Sequence, residues 1–335
     1  MNKQFNVYED SKIYIPCAAG HATGGTELVH QFVYNLRKLG FNAFVYYYRV
    51  NKGIDPIHAN FKKYVTDYAV EIEDNARNIL VVPETRTEYL FKFSHIRKVI
   101  WWLSVDFFYD YADVDRISTL LNLLGLRKKF NINKPELCPV DLHFVQSQYA
   151  ADHLKKHGIT NFCFLSDYLN AEFFQKSVEV NDHDRNNWVL YNPKKGYSFT
   201  KNIIAFSPGF KWIPLINLSP QEVANLLRTS KVYVDFGNHP GKDRFPREAA
   251  MCGCCVITGS KGAARFEQDI PIPASYKFLD EKENIASIIE QIEYCLFEYD
   301  KVKHDFDKYR EVIMQEESLF IQQLRNIFVK AETLA

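Results

Sequence analysis

The sequence lacks most of the features that mark a specialised environment. Its 335 residues carry no net charge: 41 Lys plus Arg balance 41 Asp plus Glu, and neither half of the chain concentrates one sign. A non-specific polyanion binder needs a basic excess, so nucleic acid is not an expected partner. No stretch reaches the roughly 20 uninterrupted apolar residues that a membrane-crossing helix requires. Residues 1–10 are polar and mixed in charge, without the apolar run or small-residue cleavage site of a signal peptide. Seven cysteines, an odd number, are scattered without framework spacing, which fits a reduced, cytoplasmic protein better than a disulfide scaffold. Internal repeats at solenoid periods are missing too. The remaining composition, 47% hydrophobic and 15% aromatic, is that of a folded protein. At about 150 residues per domain, the length fits two domains.

The pattern of apolar runs alternates strand with helix. Residues 12–16 (KIYIP) form a short β-type run, 17–25 a loop of small residues, 26–39 a helical periodicity and 41–48 a second strand, which is how a parallel α/β sheet opens. Further strands are expected over 78–82, 99–105, 141–146 and 161–165, with a helix over 147–157. The polar segment 179–187 reads as a linker. A second α/β series follows, with strands over 188–191, 212–215, 231–236 and 254–258. Its helices are expected over 200–205, over 220–229 behind a Ser219 cap with proline at the first position, and over 247–252. Long helices over 282–299 and about 305–331 close the chain.

Three places concentrate chemistry. Gly20-His-Ala-Thr-Gly-Gly-Thr-Glu27 joins the first strand to the first helix, where glycines let backbone approach a ligand and a helix N-terminus offers free N–H groups. Its spacing is neither the G-x-G-x-x-G fingerprint nor a P-loop, so a plain turn stays open. Residues 235–253 follow a strand and gather Asn238, His239, Gly241, Lys242, Asp243, Arg244, Arg247 and Glu248, pointing to a loop shaped around a polar, phosphorylated ligand at the carboxyl end of a sheet. Lys194 and Lys195 end the first strand of the second series, where either can neutralise a diphosphate or simply face solvent. Glu84 and Asp106 end two strands of the first series, as general-base candidates or as helix caps. Cys252, Cys254 and Cys255 lack the spacing of a zinc site and read as small buried thiols. Three D-x-D triplets, at 113/115, 182/184 and 305/307, are poorly placed for a cation. No metal and no cofactor is expected.

The Gly-Gly-Thr-Glu loop, the stretch Arg247-Glu-Ala-Ala-Met-Cys-Gly-Cys-Cys-Val-Ile-Thr-Gly259 and the sequence 141–174 together resemble glycosyltransferases of the GT-B fold, closest to the family 4 type group. The resemblance implies two Rossmann-like domains facing across a cleft: an acceptor-side domain over 1–178, a donor-side domain over 188–304, and a C-terminal helix over 305–335 crossing back to the first. It also implies a nucleoside diphosphate-sugar donor, a saccharide or lipid-linked acceptor, and a role in bacterial surface polysaccharide or glycan biosynthesis. Peripheral membrane contact is compatible with such a role. Glu248 matches the family's second motif glutamate, which binds the donor ribose; the first falls on Pro240 and is absent, so Asn238, His239, Gly241 or Asp243 stands in toward the sugar. Lys195 corresponds to the family's phosphate-binding lysine, and Gly24, Gly25 and Thr26 to the loop approaching the diphosphate. Lys242 or Arg244 would stabilise the leaving group, and Asp106 or Glu84 would act on the acceptor hydroxyl. A non-catalytic nucleotide-sugar-binding partner and a sugar-nucleotide epimerase remain as alternatives.

Overall fold

The computed structural model describes residues 3–113, 129–138, 140–174 and 185–331. They divide into two compact units, one within Met1–Asp167 and Ser318–Ala335, the other within Tyr168–Glu317.

Unit 1 is built on six parallel strands, β2 (Lys12–Ala18), β3 (Asn42–Tyr48), β4 (Ile79–Pro83), β5 (Arg97–Trp102), β6 (Leu142–Val145) and β7 (Phe162–Phe164), in the spatial order β3-β2-β4-β5-β6-β7. β4 and β6 are buried at every position, and β5 at every position but its first. A parallel sheet covered on both faces produces such unbroken apolar runs, which is why the sequence exposes these strands so plainly. Helix α1 (Gly24–Lys38) packs Leu28, Val29, Phe32, Val33 and Leu36 inward. α2 (Val105–Asp113) follows β5, and α3 (Gln148–Lys156) starts behind a Ser147 cap, within the span 147–157 expected from the sequence.

Unit 2 repeats the scheme. β8 (Asn186–Tyr191), β9 (Lys211–Pro214), β10 (Ser230–Asp235), β11 (Cys255–Gly259) and β12 (Lys277–Phe278) run parallel in the order β12-β11-β10-β8-β9. The longer helices are α4 (Tyr197–Phe206), α5 (Pro220–Thr229), α6 (Arg244–Met251), α7 (Ile285–Phe297), α8 (Asp307–Met314) and α9 (Glu316–Ile327), the last passing from unit 2 back to unit 1. α5 carries a full capping box between Ser219 and Glu222, with Pro220 in the first turn.

Three expectations need adjustment. Unit 2 begins at Tyr168, before the segment 179–187, because Leu169 and Phe173 sit in its core and the Arg228 guanidinium donates to the Glu172 carbonyl. Residues 179–184 lie outside the described residues, and 186–187 already belong to β8. The closing segment is not one helix. Phe306, Tyr309 and Ile313 are buried in unit 2, α8 ends at Met314, and after α9 the chain extends as β13 (Phe328–Lys330), pairing in parallel with β1 (Phe5–Val7). The cause is aromatic: the Phe328 ring lies within about 6 Å of Phe5, Phe32, Phe41 and Phe144. Among the described residues, no helix is long and apolar enough to cross a membrane.

Candidate functional site

In both sheets the first strand of the series has its second on one side and its third on the other. The connections therefore diverge between β2 and β4 in unit 1 and between β8 and β10 in unit 2. Open α/β sheets bind ligands outside the carboxyl ends of the strands at such switch points. The residues singled out from the sequence fall at these two edges.

At the unit 1 edge, β2 leads through a loop in which Gly20 takes φ +69°, a conformation that favours glycine, and donates to the Pro56 carbonyl. Helix α1 starts two residues earlier than periodicity indicates, so Gly24 and Gly25 form its first turn. Thr23 is the N-cap: its hydroxyl accepts from the Thr26 N–H, while the Thr26 hydroxyl accepts from the Thr23 N–H. Thr26 is thus committed to the cap. The Gly24 and Gly25 N–H groups lie outside this reciprocal pair, as first-turn groups without intrahelical acceptors. A Cβ on Gly25 would meet nothing within 4 Å, so the helix end is open to a ligand. His21 is exposed on the same loop.

Glu84 follows β4 and is buried, its Oε2 accepting from the Leu103 N–H at 3.0 Å. Burial pushes its carboxyl up to about 8, against the pull of backbone donors. Asp106, in the first turn of α2 after β5, accepts from the Tyr149 hydroxyl at 3.2 Å. The two carboxylates end adjacent strands, and the Leu103 N–H that holds Glu84 lies three residues before Asp106.

At the unit 2 edge two loops meet backbone to backbone. Gly196, at φ +60°, caps α4, and a Cβ there would fall 2.2 Å from the Phe236 carbonyl oxygen. Gly237, at φ +94°, presses against Gly196 and donates its N–H to Asp280 Oδ2 at 2.9 Å. Across this contact Lys195 reaches from the end of β8. Its Nζ lies 2.9 Å from Asp235 Oδ1 and 2.5 Å from Asp243 Oδ2, and 3.2 Å from His239 Nδ1. Burial opposes the ammonium charge, but the two aspartates outweigh it and hold Lys195 above the usual lysine value. His239 is wholly buried, with Nδ1 2.8 Å from Asp243 Oδ2 and Nε2 3.2 Å from the Asp235 carbonyl.

The other cations of the loop are also engaged. Lys242 Nζ and Arg247 Nη1 share the buried carboxylate of Glu316, at 2.6 and 2.8 Å. Arg244 donates to the Tyr168 carbonyl at 3.4 Å. Glu248 is buried on α6, Gly241 is buried in the loop, and Asn238 and Lys194 are exposed. Asp235, Asp280 and Glu316 were not singled out from the sequence. Only Asp235 carried a local signal, as a carboxylate ending a strand.

Asp235, His239 and Asp243 offer three ligand atoms within 4.8 Å of one another, the geometry of a small cation site, and the Lys195 ammonium sits against all three side chains. Cys252, Cys254 and Cys255 are buried thiols, Cys254 donating to the Leu227 and Ser230 carbonyls. Of the D-x-D triplets, Asp115 and the 182/184 pair lie outside the described residues. Asp305 accepts from the Tyr276 hydroxyl, and Asp307 pairs with Arg310 and His304.

No protein-family model matches the sequence, and no curated protein matches it. Solved structures do. HepE from Anabaena, in complex with UDP and glucose, superposes with a TM-score of 0.60 at 12% identity, over 94% of this chain and 98% of HepE. Sucrose-phosphate synthase from Thermosynechococcus elongatus gives 0.58 at 11% identity, over 93% and 98%. The catalytic domain of starch synthase IV from Arabidopsis thaliana, bound to ADP and acarbose, gives 0.53 at 10% identity, over 94% and 99%. The fold is that of the GT-B glycosyltransferases.

Proposed function

We propose that this chain is a glycosyltransferase that takes a hexose from a nucleoside diphosphate-sugar and passes it to a hydroxyl of a saccharide or lipid-linked acceptor, without a metal ion. The observation that carries the reading is correspondence along nearly the whole chain with a UDP-bound structure, 94% of one and 98% of the other. In this reading unit 2 holds the donor. Glu248 takes the ribose hydroxyls, and Asn238, His239 and Gly241 face the sugar. Lys194 and Lys195 serve the diphosphate. In unit 1 the Gly24 and Gly25 N–H groups are candidate anion donors, a role suited to the first turn of a helix. Glu84 and Asp106 are its candidates for handling the acceptor proton. A buried carboxyl near pH 8 becomes a base only in mildly alkaline solution, so Glu84 would make transfer rise with pH up to about 8.

Metal independence rests on the buried ammonium of Lys195, placed among the carboxylates where a divalent ion would otherwise sit. A cytoplasmic protein, lying against the membrane when it serves a lipid-linked acceptor in surface polysaccharide assembly, completes the reading. One observation favours a second reading, a nucleotide-sugar-binding partner without turnover: the pairing of Lys195, Lys242 and Arg247 with carboxylates.

The test is release of nucleoside diphosphate from UDP-, ADP- and GDP-linked hexoses in EDTA, with saccharide acceptors present. Turnover with one donor, falling about 100-fold in kcat/KM in Glu248→Ala with the fold retained by circular dichroism, is expected from the loss of charge-assisted hydrogen bonds. Full activity in that variant would reject the donor site. Binding without turnover under all conditions would favour the second reading.

A further inference from the structure

Asp243 has two competing uses. It occupies the N-cap position of α6, with φ −60° and ψ 142°, an extended backbone of the kind a capping aspartate adopts, yet its side chain makes no capping bond. Its carboxylate turns instead to Lys195 Nζ, at 2.5 Å, and to His239 Nδ1, at 2.8 Å. The helix end is left without the side-chain acceptor that aspartate supplies so readily. Pro246, at the third helical position, has no N–H, so the donor that a turned Asp243 would meet is the Phe245 N–H.

The charges around Lys195 do not suit an anion in this arrangement. One ammonium faces two carboxylates. A diphosphate approaching Lys195 meets two carboxylates already paired with it unless one withdraws. Asp235 ends β10 and is 2% exposed, so it has nowhere to go. Asp243 has a side chain 22% exposed and sits on a loop. It has an alternative partner one side-chain rotation away. Moving it exchanges an ion pair for a charge-assisted cap on α6, and so strands no charge in the interior.

We infer that Asp243 is a gate on Lys195: it holds the ammonium until a phosphate-bearing ligand displaces it, and then turns to cap α6. The inference rests on the donor-site reading of unit 2 and adds the residue that regulates access to its lysine. The free protein then shows a reduced apparent affinity, because only the fraction with Lys195 released is competent to bind. Removing the negative charge of Asp243 while keeping its capping ability lifts that restriction.

The test is calorimetric titration of wild type, Asp243→Asn and Asp243→Ser with UDP, ADP and GDP, and with the matching uncharged nucleosides. Asn and Ser are both good N-caps, and two variants guard against one that folds poorly; circular dichroism melting checks each. The expected result is a nucleoside diphosphate bound about tenfold more tightly by both variants, no change for its nucleoside, and loss of the gain when Lys195→Gln is added. Wild type binding a diphosphate as tightly as the variants, or more tightly, overturns the gate and leaves the donor site standing. An equal gain for the nucleoside also overturns it, since the effect would not concern the phosphates. No binding of any diphosphate to wild type or variants overturns the donor-site reading and the gate with it.

Discussion

Glu316 is the residue whose removal tests the architecture of unit 2 most sharply. It begins α9, is 2% exposed, and is shared by two cations: Arg247, wholly buried on α6, and Lys242 in the preceding loop. Arg247 also donates from Nε to the Asp243 carbonyl and from Nη2 to the Lys242 carbonyl, so the guanidinium ties the loop to the helix while Glu316 neutralises it. Glu316→Ala removes the buried carboxylate that the Arg247 guanidinium and Lys242 share. Breaking a buried pair from one side costs about 3–5 kcal/mol, much more than the pair itself contributes. For a unit of roughly 150 residues that is a fall of about 6–20 °C in its transition. Replacing both sides, as in Arg247→Met with Glu316→Leu, removes both charges of the pair and should recover most of the loss; Lys242 can turn its ammonium to solvent. Urea unfolding followed by tryptophan fluorescence is suited to the measurement, because Trp188 and Trp212 report on unit 2 and Trp101 and Trp102 on unit 1. The loss should appear in the unit 2 signal. If Glu316→Ala unfolds within about 1 kcal/mol of wild type, or the double variant is no better than the single one, the reasoning fails.

Glu84 sets a pH dependence of defined sign. Its folded value near 8 exceeds the ordinary 4.5, so the folded chain holds a proton that the unfolded chain has released; the stability this confers is complete below about pH 4.5 and is lost as pH rises toward 8. Glu84→Gln should therefore melt close to wild type at pH 5 and above it at pH 8.5, and a difference that stays constant across that range would contradict the burial argument. Gly196→Ala, which forces a Cβ against the Phe236 carbonyl at positive φ, should cost at least about 1–3 kcal/mol by urea titration. Gly25→Ala meets open space and should be neutral or more stable by up to about 1 kcal/mol, yet weaken nucleoside diphosphate binding.

What the sequence discloses is whatever depends on neighbours along the chain. The two α/β series are legible because β4, β5, β10 and β11 are nearly or fully buried and read as continuous apolar runs. Caps are equally local: Ser147 with α3, and Ser219, Pro220 and Glu222 with α5. The start of α1 is misjudged by two residues because Gly24 and Gly25 are poor helix formers, and Thr23 with Thr26 overrides their propensity. The end of the chain is misjudged for the opposite reason. Ile327 and Phe328 continue an apolar pattern that fits a helix, and only the distant rings of Phe5 and Phe144 draw Phe328 into a strand. Partners of charged groups are the least legible. Glu316 lies 69 residues from Arg247, and nothing in either local pattern points to the other.

Charge pairing also distinguishes the two switch points. In unit 1 a Cβ on Gly25 at the helix end after β2 would meet open space, Glu27 lies in the same first turn, and Glu84 at the end of β4 is held toward its neutral form by burial. In unit 2 the edge after β8 and β10 is rich in lysine and arginine by sequence, but Lys195, Lys242 and Arg247 are each in contact with a carboxylate. Counting cations along the chain therefore overstates how positive that edge is. Under the donor-site proposal, recognising a diphosphate there depends on which pair can open, and geometry separates the pairs: Glu316 and Asp235 are almost fully buried, whereas Asp243 stands partly in solvent beside a helix end it can cap. A basic loop in a sequence is thus only an upper bound on the positive charge a ligand meets.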